Sequence, residues 1–93
     1  MSEATMNLMR AHLEAFVPLL VMEYKRRGGP TQDDFDSLGN VSQLIAEKGD
    51  QLMFRSKQTA HVMGELTRAI AIASFVPGGI TFLGVKWETI TNQ

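Results

Sequence analysis

The residues best suited to do chemistry in this chain are its two histidines, and only one has a carboxylate at a useful spacing. His61 and Glu65 stand four residues apart, which on a helix places an imidazole and a carboxylate on one face, as a metal site or an acid–base pair would need. A metal site wants a third ligand, and neither His12 nor any cysteine supplies one, so the pair reads as a surface contact and neither metal nor cofactor is expected. Ser37, Ser42, Ser56 and Ser74 fall in helical contexts without the strand-to-helix elbow of a nucleophilic serine. Anion binding has more material. Lys25, Arg26 and Arg27 precede Gly28-Gly29-Pro30-Thr31, where a helix would begin, but Asp33 and Asp34 already place negative charge there. Pro77-Gly78-Gly79 lacks the lysine and hydroxyl residue of a phosphate-binding loop. An anionic ligand such as a nucleotide therefore calls for Arg26, Arg27, Arg55, Lys57 and Arg68 brought together from several subunits, the alternative to a chain that works by binding protein.

Composition favours assembly. A chain of 93 residues buries only about 60 to 65% of the surface its unfolded form exposes. Without cysteine it has neither disulfides nor thiolate zinc sites to reinforce a small core. Hydrophobic residues make up 44% of it, with six methionines and five phenylalanines, enough for dense helix packing or for contact with another chain. Nine Lys and Arg against ten Asp and Glu, a formal net charge of −1, argue against whole-surface nucleic-acid binding, leaving only a weak local contact through the basic residues. The amino terminus shows no basic segment leading into an apolar run, and the expectation is an intracellular, cytoplasmic protein.

The elements that must position these residues are mainly α, in a single domain spanning residues 1–93. Apolar residues at Met6, Met9, Leu13, Phe16, Leu20 and Tyr24 put one stripe on a helix over residues 3–27. Pro18 should kink that helix near Glu14 or split it, and Gly28-Gly29-Pro30 ends it. Thr31 then caps residues 31–48, one helix or two short ones, with Asp34 in place of the usual longer Glu of a capping box. Gly39-Asn40 and Gly49-Asp50 are the candidate breaks, and residues 50–75 are expected as one long helix, so that the first helix and the second helical region form a hairpin.

Two further features point to contact surfaces. Ser56, Ala60, Gly64, Thr67 and Ala71 line small side chains along one ridge of the long helix, suited either to the first helix of the same chain or to another subunit. The surrounding charges exclude a bilayer there, and Pro77-Gly78-Gly79 argues against a membrane span in the uncharged residues 69–85. That run is expected to leave the helix near Phe75, turn with Pro77 and Gly78 at the centre of a type II turn, and continue as a β-like segment over 80–87. Alternation puts large apolar groups on both faces of the segment, and no second strand is evident to pair with it. Phe82, Leu83, Val85 and Trp87, with the small residues Ser56, Ala60, Gly64 and Ala71, are therefore the expected interaction residues. The reading is a small non-enzymatic interaction module: a homo-oligomer, or an accessory subunit, adaptor or inhibitor of a larger complex.

Overall fold

The computed structural model describes residues 3–54 and 59–89. It is mainly helical, with helices α1 (Glu3–Arg26), α2 (Gln32–Leu38), α3 (Val41–Phe54) and α4 (Thr59–Ala73) followed by strands β1 (Ile80–Phe82) and β2 (Val85–Trp87). The C-terminal half of α4 is the centre. Ala69, Ile70, Ala71 and Ile72 are fully buried and Ala73 and Ser74 nearly so, which accounts for the missing charges: a helix enclosed on every side must be apolar all round. α1, α2, α3 and β2 all pack against α4.

α1 lays Met9, Leu13, Val17 and Tyr24 on this core. It runs through Pro18 as one helix rather than two, with Glu14 and Pro18 both exposed, so the carbonyl that Pro18 leaves without a donor lies toward water. The helix ends as its sequence requires. Gly29 N–H donates to Tyr24 O at 2.7 Å and Gly28 N–H to Lys25 O at 3.0 Å, with positive φ at both glycines, the crossed pair of bonds of a Schellman cap. Thr31 and Asp34 then form a complete capping box: the Asp34 amide donates to Thr31 Oγ1 at 3.2 Å and the Thr31 amide to Asp34 Oδ2 at 2.9 Å. The shorter aspartate reaches after all.

The helix boundaries differ from the expected ones at two places. The chain does break at Gly39-Asn40, where Asn40 Oδ1 accepts from the Gln43 amide at 3.1 Å and caps α3. It does not break at Gly49-Asp50, which lie inside α3. Gly49 is a packing glycine: a Cβ there would stand 3.1 Å from the tip of the Phe82 ring, so its missing side chain lets the aromatic close on the helix. Nor do residues 50–75 form one helix. Lys48 Nζ lies 3.3 Å from Glu65 Oε2, whereas 17 residues along a single helix would separate them by about 25 Å. α3 and α4 thus pair as a helical hairpin, with α1 against α4.

The segment after α4 also departs from expectation. Its turn is the anticipated type II, with Gly79 N–H donating to Val76 O at 2.8 Å and Gly78 at φ 87°. Residues 80–87, however, are a hairpin rather than one strand in search of a partner. Ile80 pairs with Trp87, Thr81 with Lys86 and Phe82 with Val85. Leu83 and Gly84, at φ 53° and 75°, take the positive values that a two-residue type I′ turn requires at both central positions. A non-glycine residue there is uncommon, and Arg10 Nε steadies it from α1 by donating to Leu83 O at 3.2 Å. Because paired residues share a face, Ile80, Phe82, Val85 and Trp87 point inward while Thr81 and Lys86 are exposed. The segment is covered on one face only.

The small-residue ridge of α4 does not serve uniformly as a packing surface within the chain. Thr67 and Ala71 are buried, but Ala60 and Gly64 are exposed, and a Cβ on Gly64 would meet nothing within 4 Å; Ser56 lies outside the described residues. Two glycine substitutions therefore have opposite expected outcomes. Gly64→Ala should raise stability by about 0.5 to 1 kcal/mol, the helix-propensity difference. Gly79→Ala should cost about 2 to 3 kcal/mol or more, because its Cβ would fall 2.0 Å from the Trp87 carbonyl oxygen at φ 58°. Thermal and denaturant unfolding of the two variants checks both signs.

Candidate protein-interaction surface

α1 carries apolar residues on two opposite faces. Taking 100° per residue, Leu8, Ala11, Ala15, Leu19 and Met22 fall within an arc of about 80°, centred roughly 160° from the arc held by the buried Met9, Leu13, Val17 and Tyr24. All five are exposed, Leu8 at 73%, Leu19 at 58% and Met22 at 66%. Scattered apolar residues at a surface are ordinary, but a stripe along about four turns of one helix is the kind of patch found at contact surfaces. At its N-terminal end the stripe opens onto a cleft of about 570 Å³ between α1 and the adjoining ends of α3 and α4, floored by Met9, Leu52 and Met63. His12 and Phe16 flank it with ring centroids 4.5 Å apart. A cleft that is apolar on its floor and walls suits an apolar side chain better than a charged ligand.

The interaction residues expected in the C-terminal segment are used inside the chain. Trp87 is 9% exposed and belongs to the core, with Phe82, Leu83 and Val85 packed around it. Trp87 closes the core instead of presenting an anchor. Its indole N–H is buried and has no hydrogen-bond partner among the described residues. The hairpin is tied to the end of α4 by Thr89 N–H donating to Ser74 O at 2.7 Å and by the buried Ser74 and Thr89 hydroxyls 2.7 Å apart.

The candidate anion-binding residues do not gather into an open site. Arg26 is paired with Glu23, and Arg27 lies over the Tyr24 ring, 4.8 Å from its centroid. Arg68 reaches from α4 to α2, 3.6 Å from Asp34 Oδ1 and 3.2 Å from Ser37 Oγ. Arg55 and Lys57 lie outside the described residues. What Arg27 and Arg68 share is Asp34, whose carboxyl is held below its ordinary range first by the Thr31 amide and further by the Thr31 hydroxyl and the two guanidinium groups. Arg27 and Arg68 thus help to balance a carboxylate of the same chain. His61 Nε2 pairs with Glu65 at 2.8 Å, and Lys48 joins the same carboxylate. No group of three or more possible metal ligands occurs among the described residues, and no helix among them is long and apolar enough to cross a membrane.

Comparison of the chain with protein-family models, with curated proteins and with solved structures gives no match. The 3-4-4-3 spacing of Leu8, Ala11, Ala15, Leu19 and Met22 is the sequence signal of the outer stripe of α1, and the stronger core-facing stripe in the same 24 residues masks it.

The Asp34 network has a pH signature. A depressed folded-state pKa means that the ionised carboxylate contributes stability above its ordinary titration range and that this contribution is lost as pH falls through the folded value. Asp34→Ala should melt below the wild type at pH 7, and the gap should close as pH is lowered beneath about 3.9. A gap that stays constant from pH 7 to pH 2 would show that the charge of Asp34 contributes nothing.

Proposed function

We propose that this chain is a small non-enzymatic protein–protein interaction module, acting through the outer face of α1. One observation carries this reading: on a helix whose opposite face already fills the core, Leu8, Leu19 and Met22 stand 58 to 73% exposed along one side. A monomer has no structural use for that side, and leaving it in water forgoes roughly 1.5 to 3 kcal/mol for each large side chain that a partner would bury. A helix face of this kind fits an apolar helix or groove of another protein chain, the mode in which anchors are presented at i, i+3, i+4 and i+7. The role is that of a subunit, adaptor or inhibitor of an assembly. A reducing compartment such as the cytoplasm suits a chain without cysteine. The alternative, an anionic ligand held by basic residues, draws less support, since Arg26, Arg27 and Arg68 already have partners within the chain.

Site-specific photo-crosslinking in cells tests the reading. A photoreactive residue replacing Leu19 should give one or a few adducts of discrete mass, and Leu8→Lys in the same chain should abolish them. The same group at Glu47, exposed on α3, should give none. Absence of adducts at Leu19, or the same adducts from both positions, would contradict the proposal.

A further inference from the structure

The outer stripe of α1 has a pattern that says which partner it fits. We infer that its occupant is a second copy of this chain, docked antiparallel with Ala15 at the twofold axis; this rests on the interaction reading above and names the partner for the same surface. The stripe reads Leu8, Ala11, Ala15, Leu19, Met22, at intervals of three, four, four and three residues. That spacing is unchanged on reversal. An antiparallel copy therefore brings Leu8 against Met22 of its mate, Ala11 against Leu19 and Ala15 against Ala15. The flat centre, alanine on alanine, lets the two backbones approach closely, and at Ala11 and Leu19 a large side chain meets a small one, as interdigitating helices need. An isologous interface has to be self-complementary in this way.

Charge selects the direction. α1 begins with Glu3 and ends with Lys25 and Arg26, with Arg27 directly following. The antiparallel pair keeps the basic ends of the two helices apart and opposes the two helix dipoles favourably. A parallel pair would place both basic clusters side by side. Size sets the strength: a strip about 21 Å long and about 10 Å across is well short of the roughly 800 Å² per partner of a standard stable interface. The dimer is accordingly weak and reversible, populated only at high protein concentration.

The absence of cysteine from the sequence makes single introduced thiols unambiguous reporters. Full-length chains carrying Leu8→Cys and Met22→Cys, mixed at about 100 µM and oxidised gently, should yield the mixed disulfide dimer at least about tenfold above a Ser42→Cys control, placed at an exposed site on α3. Ala15→Cys should crosslink to itself, and Leu19→Lys added to it should reduce the yield about tenfold while circular dichroism and the melting curve stay unchanged. A predominance of Leu8→Cys homodimer would overturn the antiparallel register. Yields no higher than the Ser42→Cys control would overturn self-association altogether. In that case photo-adducts from Leu19 with other proteins would leave the interaction reading standing, whereas their absence too would remove both.

Discussion

Everything in this small fold depends on enclosing the last turns of α4. Ala69, Ile70, Ala71 and Ile72 are fully buried, and a helix buried on all sides cannot be covered by one neighbour. α1 and α3 flank it, α2 is drawn in by the Arg68 contacts with Asp34 and Ser37, and the hairpin closes the end through Trp87 and the Ser74–Thr89 bonds. Each large side chain placed on α4 contributes about 1.5 to 3 kcal/mol of burial, and a chain this short has few to give. That scarcity explains the tight glycine devices at Gly49 and Gly79, where a ring or a carbonyl takes the space a Cβ would occupy.

The same scarcity makes the outer face of α1 conspicuous. A domain short of core material would be expected to bring every large apolar group inside, yet Leu8, Leu19 and Met22 point away from α4. The C-terminal segment, which looked like the part in need of a partner, satisfies its own backbone by folding into β1 and β2. The exposed apolar surface thus lies on the first helix and not on the C-terminal segment. Protein contact through α1 is the role proposed for this face, with a second copy as the occupant its mirrored spacing would fit.

Much of the scaffold was legible in the sequence because strong local chemistry wrote it. The Gly28-Gly29 stop, the Thr31 cap and the Pro77-Gly78 turn each depend on a few adjacent residues, and each forms as those residues dictate. What could not be read locally was set by distant neighbours. Gly49 looks like a helix stop until Phe82 is known to sit on it. Leu83 gives no turn signal, because leucine rarely adopts a left-handed conformation, and the Arg10 bond that steadies it comes from 73 residues away. Ala60 and Gly64 resemble a packing ridge by spacing alone, whereas burial along α4 increases toward its C-terminal end and leaves them in solvent. The exposed stripe of α1 is present in the spacing but is masked by the stronger core stripe on the same helix.

Sedimentation equilibrium of the full chain, run from about 1 µM to about 1 mM, addresses the central claim most directly. The expected result is a reversible rise in mean mass from 10.3 kDa toward twice that value, with the wild type associating and Leu19→Lys remaining monomeric at every concentration. A wild type that stays at the monomer mass throughout the range, or a Leu19→Lys chain that associates equally well, would contradict the account of α1 as a self-complementary contact surface.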